Sequence, residues 1–254
     1  MHYKAYCFDL DGTIYRGKAG IESAVQFVHH LQERGIEPFY LTNNSSKTRE
    51  TLQQMLLAIG IIAPLTHIYS SSLATAKYVA KMSNDKRVNV VGEQGIRTAL
   101  EQEGLMITDE QADILVMGID RDMTYAKLAK ASSYVQNGAQ LIGTNGDIKF
   151  PNEDGFAPGN GSFVHLVANV AGVTPIFVGK PSPVMLQIVA DDHSFTKNEM
   201  VMVGDNYDTD ILCGINFGCD TIHVNTGVTP TELVKKQGKQ PTYCVENLLQ
   251  FIEV

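Results

Sequence analysis

The chain alternates short apolar runs with stretches in which apolar residues recur at helical spacing. The first run, residues 5–10, precedes a helical pattern over residues 21–31 that ends at Gly35. Further helices are predicted over residues 47–59 and 71–82. The remaining runs have the length of buried strands: 39–41, 88–91, 114–117, 140–142, 176–178, 200–203 and 221–224. Because helices separate most of these runs, the pattern predicts parallel sheets joined by right-handed crossovers.

These runs outnumber the strands that one small sheet needs, and two breaks divide them. The first is the polar stretch at residues 83–86, and the second is the Gly-Val-Thr-Pro stretch at residues 172–175. We therefore predict that residues 80–178 form an inserted α/β domain. Residues 1–79 and 179–254 would together form one doubly wound core.

Composition narrows the class of protein. Hydrophobic residues make up 44% of the 254 residues, which is enough for a substantial core. The formal net charge of −8 argues against broad electrostatic binding to nucleic acid or to anionic membranes. It also means that an anionic substrate would need local positive charge, from a metal ion or from a placed lysine.

Several features favour a cytoplasmic location. None of the four cysteines lies in a CxxC pair, and we interpret them as small core residues in a reducing compartment. The first residues lack the basic-then-apolar pattern of a signal peptide. No apolar run approaches the roughly 20 residues of a membrane span.

The strongest chemical signal is Asp9-Leu10-Asp11-Gly12-Thr13, which directly follows the first apolar run. Ligands of open parallel sheets bind beyond the carboxyl ends of the strands, so two carboxylates are aimed at such a crevice. One carboxylate can act as a nucleophile and a second can transfer a proton. The alternative is an Asx turn that ends a strand.

A second signal follows the next strand, where Thr42, Asn43 and two serines offer a hydroxyl, amides and backbone N–H groups. Such donors at a strand end suit phosphate oxygens. Ser45 or Ser46 could equally be the N-cap of the helix that follows, and both roles can coexist.

Two further strand ends carry charged groups. Lys180 lies between Gly179 and Pro181 and could neutralise a phosphoryl oxygen, although a surface lysine in a loop is the commoner case. Asp205 follows the run at residues 200–203, and carboxylates there could bind Mg²⁺ together with Asp9. Asp208 and Asp210 could instead stabilise the first turn of a helix, or Asp210 could orient a metal ligand.

Taken together, these four strand-end sites resemble the four motifs of the haloacid-dehalogenase-like hydrolases. The matching residues are Asp9-Leu10-Asp11-Gly12-Thr13, Thr42-Asn43, Lys180, and Gly204-Asp205 with Asp210. Residues 41–45 and 178–182 are similar to those of the NagD / 4-nitrophenylphosphatase-like subgroup, which has a type IIA cap. The likeness covers essentially the whole chain, including the cap stretch at residues 154–161.

The resemblance implies a role for each matching residue. Asp9 would be the nucleophile and Asp11 the general acid and base. Thr42 and Asn43 would bind phosphate oxygens, while Lys180 would steady Asp9 and the transferring group. The implied Mg²⁺ ligands are Asp9, Asp11 through its backbone carbonyl, and Asp205.

The resemblance also implies a fold and an activity. The fold would be α/β, a doubly wound Rossmann-like parallel-sheet core with an inserted α/β cap domain. The activity would be Mg²⁺-dependent hydrolysis of small-molecule phosphomonoesters, sugar phosphates or nucleotide monophosphates, through an aspartyl-phosphate, and a homodimer is plausible. The alternatives are a phosphomutase and a non-catalytic phosphosugar-binding protein.

Two glycine-containing stretches carry weaker signals. Thr144-Asn145-Gly146-Asp147 ends an apolar run and could face a substrate, but an ordinary Asn-Gly turn is at least as good an interpretation. Gly159-Asn160-Gly161-Ser162 partly resembles a dinucleotide fingerprint. It lacks the third glycine and a preceding strand, so we interpret it as the start of a helix.

Overall fold

The structure is a computed structural model that describes residues 3–36, 38–82, 85, 87–152 and 155–252. Most of the predicted polar break at residues 83–86 (Ser83, Asn84 and Lys86) lies outside the described residues. Asp154 of the predicted cap stretch lies outside them as well. None of the helices in the described part of the chain has the length and apolarity that crossing a membrane requires.

The helices and strands alternate along most of the chain. The strands are β1 (Ala5–Phe8), β2 (Tyr15–Arg16), β3 (Ala19–Gly20), β4 (Phe39–Thr42), β5 (Ile68–Ser70), β6 (Arg87–Val91), β7 (Met106–Ile107), β8 (Ile114–Met117), β9 (Gln140–Gly143), β10 (Lys149–Asn152), β11 (Gly155–Pro158), β12 (Ile176–Phe177), β13 (Met200–Gly204), β14 (Asp220–Val224) and β15 (Tyr243–Val245). The helices are α1 (Glu22–Glu33), α2 (Arg49–Ala58), α3 (Ser71–Met82), α4 (Gln94–Gln102), α5 (Tyr125–Gln136), α6 (Asn160–Ala171), α7 (Val184–His193), α8 (Leu212–Phe217) and α9 (Thr231–Val234).

The chain forms two compact units. The first comprises residues 1–42, 49–69 and 180–254, and the second comprises residues 43–48 and 70–179. Helix α3 packs against α4 and belongs to the second unit.

A six-stranded sheet forms the centre of the first unit within the described residues, in the order β15-β14-β13-β1-β4-β5. The pairs β1/β4, β1/β13, β13/β14 and β14/β15 are parallel. The strands on one side of β1 in the sheet, β4 and β5, come early in the sequence. The strands on the other side, β13, β14 and β15, come late in the sequence. The order therefore reverses between β1 and β13, which is where ligands bind in open α/β sheets.

The core of this unit is aromatic and aliphatic. Phe8 of β1 is fully buried, and its ring stacks on Tyr40 with 6.4 Å between centroids and meets Phe27 of α1 edge-on at 6.2 Å. Both faces of β1 are covered, because all four of its residues are buried. This explains why β1 reads as a continuous apolar run in the sequence.

The second unit contains a separate parallel sheet in the order β12-β9-β8-β6-β7, and an antiparallel pair, β10 and β11. Its core joins Leu115 and Met117 of β8 to Leu141 of β9 and to Val164 and Val167 of α6. Apolar residues of α6 therefore cover the sheet, as expected for an α/β unit.

The predicted α/β fold class is confirmed, and the predicted helices over residues 21–31, 47–59 and 71–82 correspond to α1, α2 and α3. The short strands β2, β3, β5, β7 and β15 and the pair β10/β11 were not predicted. Most of β11 is exposed and Phe156 retains 66% exposure, so the segment contains no buried run for the pattern to reveal.

Candidate active site

Two carboxylates meet at the point where the strand order reverses. In the pairing of β1 with β13, Phe8 lies opposite Val203, and the backbone N–H of Asp9 donates to the Val203 carbonyl at 2.9 Å. Asp9 follows β1 directly, and Asp205 follows the last residue of β13. The register of two adjacent strands thus brings residues 196 positions apart to one edge of the sheet.

Lys180 joins two carboxylates of this edge. Its Nζ donates to Asp9 Oδ1 at 2.5 Å, to Asp210 Oδ1 at 2.7 Å and to the Leu41 carbonyl at 3.0 Å. The Lys180 side chain is 1% exposed and that of Asp210 is 2% exposed. A buried ammonium group needs such acceptors, because desolvation without them is costly. We call Asp9, Lys180, Asp205 and Asp210 the carboxylate–lysine cluster.

Asp205 is fixed from two sides. Its Oδ1 accepts from Thr13 Oγ1 at 2.8 Å, and its Oδ2 accepts from the backbone N–H of Val228 at 2.7 Å. Glycines leave room for it, since a Cβ on Gly12 would lie 2.5 Å from Asp205 Oδ2 and one on Gly227 would lie 1.8 Å away. Gly12 also has φ of 92°, a conformation that other residues rarely adopt.

Asp210 reaches the cluster from a single π-helical turn, Tyr207–Ile211. Its Oδ2 accepts from the backbone N–H of Asn206 at 3.0 Å. A Cβ on Gly204 would lie 2.2 Å from the Cβ of Asp210, so glycine at this position permits the approach. Such turns occur often at functional sites.

Burial and crowding shift the ionisation of the cluster. Burial, together with the nearby Asp210, raises the pKa of Asp9 well above its usual range, although Lys180 opposes this. Burial and Asp210 raise the pKa of Asp205 to about 6, against the hydrogen bonds from Val228 and Thr13. Burial alone would lower the pKa of Lys180, but Asp210 and Asp9 more than offset it, so its pKa is raised.

The donor set of the cluster fits a hard divalent cation. One oxygen each from Asp9, Asp205 and Asp210 lies within 4.8 Å of the others. Carboxylate oxygens are the ligands that Mg²⁺ prefers. Lys180 pairs with two of the three carboxylates, so the cluster carries an excess of two negative charges when all three are ionised, which one divalent cation would balance.

The other predicted site residues are distributed over both units. Asp11 is exposed in the turn after β1, and burial together with the nearby Asp11 raises the pKa of Tyr15. Thr42 is the buried last residue of β4, next to the Leu41 carbonyl that Lys180 contacts. Asn43 belongs to the second unit, where its Nδ2 donates to Asp147 Oδ2 at 2.9 Å. The structure thus brings Asp9, Lys180 and Asp205 together.

Sequence reasoning did not single out the segment after β14. Thr226 Oγ1 donates to the Gly12 carbonyl at 2.6 Å, Arg16 donates to the Thr226 carbonyl, and Val228 binds Asp205. The sequence offered one indication of this segment, which is that Thr226 and Gly227 lie just beyond the apolar run at residues 221–224, at the end of a strand. Asp210 was noted in the sequence, but its direct bond to Lys180 was not foreseen.

Family models match both ends of the chain. The model described as haloacid dehalogenase-like hydrolase matches residues 6–106, and a second one, described as HAD-hydrolase-like, matches residues 177–251.

Named proteins are similar over nearly the full length. The chain is 45% identical to an acid sugar phosphatase of Staphylococcus haemolyticus, over 97% of this chain and 94% of that one. It is 42% identical to the 5′-nucleotidase YutF of Bacillus subtilis, over 98% of each chain. Among solved structures, a 4-nitrophenylphosphatase from Thermotoga maritima superposes with a TM-score of 0.94 at 28% identity, covering 100% of this chain and 97% of that one.

Proposed function

The chain belongs to the haloacid dehalogenase-like hydrolase family, and on that premise we propose that it is a Mg²⁺-dependent phosphatase acting on small-molecule phosphomonoesters. The observation that carries the proposal is the bond from Lys180 Nζ to Asp9 Oδ1, beside the carboxylates of Asp205 and Asp210. Phosphoryl transfer depends mainly on positioning and charge stabilisation, and this cluster supplies both.

The residues of this chain would act in two steps. Asp9 attacks phosphorus through a carboxylate oxygen, the bond from phosphorus to the ester oxygen breaks, and Asp11 protonates the departing alcohol. Asp11 then removes a proton from water, whose oxygen attacks the aspartyl-phosphate and releases orthophosphate and free Asp9. The exposure of Asp11 supports this role, because its carboxyl group must meet both alcohol and water.

Lys180 contributes in both steps. Its ammonium group is held by Asp9 and Asp210, so it needs no reorganisation when charge develops on the phosphoryl oxygens. Asp9, Asp205 and the Asp11 carbonyl would hold Mg²⁺, and Asp210 lies close enough to contribute. When bound, the ion supplies positive charge that favours the ionised, nucleophilic form of Asp9.

Relatives named as sugar phosphatase and 5′-nucleotidase support sugar phosphates and nucleotide monophosphates as candidate substrates. A phosphomutase is not favoured, since relatives are named as phosphatases. We further propose that residues 80–178 act as the substrate-selecting cap of the subgroup and that Thr42 and Asn43 bind phosphate. A homodimer and a cytoplasmic location also stay predictions.

The test is release of orthophosphate from 4-nitrophenyl phosphate, a sugar phosphate and a nucleoside monophosphate, with Mg²⁺ and without a bisphosphate activator. Asp9→Asn should lower turnover by on the order of 10³-fold or more, because the nucleophile is lost. Chelation with EDTA should abolish turnover reversibly. Asp208→Asn changes an exposed carboxylate of the turn that carries Asp210 and should leave turnover near that of the unmodified protein. Full activity of Asp9→Asn would refute the proposal.

A further inference from the structure

A buried hydrogen-bonded chain of side chains follows β9 in the second unit. Asn160 Nδ2 lies 3.2 Å from Thr144 Oγ1, Thr144 Oγ1 donates to Asn145 Oδ1 at 2.9 Å, and Asn145 Nδ2 donates to Asp147 Oδ2 at 2.5 Å. We call Thr144, Asn145, Asp147 and Asn160 the amide cluster. The chain of bonds continues to Asn43, whose Nδ2 donates to the same Asp147 oxygen at 2.9 Å.

The direction of these bonds is fixed at the buried end. Asn160 is 1% exposed, and its Nδ2 also lies 3.0 Å from the Met117 carbonyl and 3.2 Å from the Asn145 carbonyl. Carbonyl oxygens only accept, so this amide must present its NH₂ group to them. The two hydrogens of this NH₂ group serve three acceptors, so Thr144 Oγ1 shares one of them with a carbonyl, and the Thr144 hydroxyl hydrogen is directed to Asn145. Asn145 is left with its NH₂ group facing Asp147.

The same logic determines which end of the Asn43 amide faces Asp147. An ionised carboxylate only accepts, so the Asn43 side chain must direct its NH₂ group, and not its oxygen, towards Asp147. The oxygen and nitrogen of an amide have nearly the same size, and shape alone cannot choose between them. Gly179 leaves space for this orientation, since a Cβ there would lie 2.7 Å from Asn43 Oδ1.

We propose that Asp147 is a positioning residue that sets the amide orientation of Asn43 for binding the substrate phosphate. The proposal rests on the proposed function, in which Asn43 binds phosphate oxygens. The Asn43 Nδ2 group carries two hydrogens, so one can bond to Asp147 while the other is offered to a phosphate oxygen. An amide turned the other way would present its oxygen, which repels a phosphate. Asp147 therefore acts on phosphate affinity through Asn43, without touching the phosphate itself.

The experiment measures the KM for 4-nitrophenyl phosphate and the inhibition constant of orthophosphate for Asp147→Ala, Asn43→Ala and the double variant. Asp147→Ala should raise both constants about tenfold, the loss expected for one charge-assisted hydrogen bond, with kcat changed less than about twofold. In the Asn43→Ala background, Asp147→Ala should add less than about twofold, because its effect passes through Asn43. Asp147→Asn keeps an accepting oxygen and should recover part of the loss.

A purely structural bond would lower the melting temperature and leave KM unchanged, which would overturn the inference. Asp109→Ala is the matched control, because it removes an exposed carboxylate of the same unit that pairs with Lys130 at 2.6 Å. It should leave KM unchanged. If Asn43→Ala weakens orthophosphate binding but Asp147→Ala does not, or if the two effects multiply, the inference is wrong and the proposed function stands. If the unmodified protein releases no orthophosphate from any ester, the proposed function itself fails.

Discussion

Both units place polar side chains directly after the strands of a parallel sheet, but with opposite electrostatics. The carboxylate–lysine cluster gathers like charges in a buried place, where Asp205 and Asp210 are both buried. The amide cluster is mostly uncharged, and side-chain donors and acceptors succeed one another along it. Both clusters thus include side chains at strand ends, and they differ in whether those side chains are mostly charged or mostly uncharged.

The difference shows which features of a strand end indicate chemistry. Buried carboxylates that raise each other's pKa lower the stability of the fold, and such groups concentrate at functional sites. The amide cluster has no repulsion between like charges, and its hydrogen bonds mainly fix orientation. This contrast supports our proposals that the first cluster carries out the reaction and binds the metal, and that the second cluster positions Asn43. Three substitutions or conditions test these proposals.

The largest effect is expected from Lys180→Met, which leaves Asp9 and Asp210 buried without their ammonium partner. Removal of one member of a buried ion pair costs about 3–5 kcal/mol of unfolding free energy. Lys180 opposes the rise in the pKa of Asp9, so its loss raises this pKa further and the folded variant binds protons more readily than the folded unmodified protein. The loss of unfolding free energy in Lys180→Met, relative to the unmodified protein, should therefore become smaller as the pH falls from 8 to 5. Urea unfolding in EDTA measures it at each pH.

Lys130→Met is the control for this measurement. Lys130 pairs with Asp109 at 2.6 Å, and both side chains are well exposed, at 52% and 94%, so solvent screens the pair. Its loss should cost far less unfolding free energy than the loss of Lys180. Equal costs for the two variants would show that Lys180 has no special electrostatic role.

A smaller effect is expected from protons competing with the metal. Because the pKa of Asp205 is raised to about 6, this carboxyl group takes up a proton as the pH falls below that value. Cation binding requires the ionised form, so protonation of Asp205 alone should lower the apparent Mg²⁺ affinity by up to about tenfold for each pH unit below 6. Protonation of Asp9, whose pKa is also raised, adds to this loss. Calorimetric titration with Mg²⁺ between pH 7.5 and 5 measures this.

Asp205→Asn provides the comparison, because an amide does not titrate in this range. It should bind Mg²⁺ more weakly at every pH and with a shallower pH dependence than the unmodified protein. An affinity that is the same at pH 7.5 and pH 5 would exclude Asp205 as a ligand.

The sequence predicts the first cluster better than the second for a physical reason. Asp9, Lys180 and Asp205 each follow an apolar run, and parallel strands bring such positions to one edge of a sheet. Asp147 lies in a stretch with the local signature of an Asn-Gly turn, and its partner Asn43 is 104 residues away. Local patterns do not encode a contact of that separation.

The same limit applies to the segments that complete the first cluster. The bond from the Val228 N–H to Asp205 depends on the path of the segment after β14, and the position of Asp210 depends on a π-helical turn. Neither has a hydrophobic period that a sequence would display. The apolar runs therefore predicted most strands of the two parallel sheets, but not the edge strands β5, β7 and β15. The irregular segments around Asp205 needed the structure.

The smallest effect is expected from Thr144→Val, which removes a hydroxyl from the amide cluster while keeping the side-chain shape. Asn160 keeps its two carbonyl acceptors, but Asn145 Oδ1 loses its hydroxyl donor. A buried polar atom deprived of its partner costs about 1–3 kcal/mol. Because hydroxyl and amide groups do not titrate between pH 5 and 8, this cost should stay constant there, unlike that of Lys180→Met. Urea unfolding over the same pH series measures it, and the Mg²⁺ affinity should not change.

Thr98→Val is the matched control, because Thr98 accepts a side-chain bond from Gln94 at 2.7 Å near the surface of the same unit. Water can replace that bond, so its cost should be within about 0.5 kcal/mol of zero. If Thr144→Val cost no more than Thr98→Val, the amide cluster would not be a tightly paired network and could not hold Asn43 through Asp147. If its cost instead changed with pH as steeply as that of Lys180→Met, charge would dominate both clusters and the contrast between them would disappear.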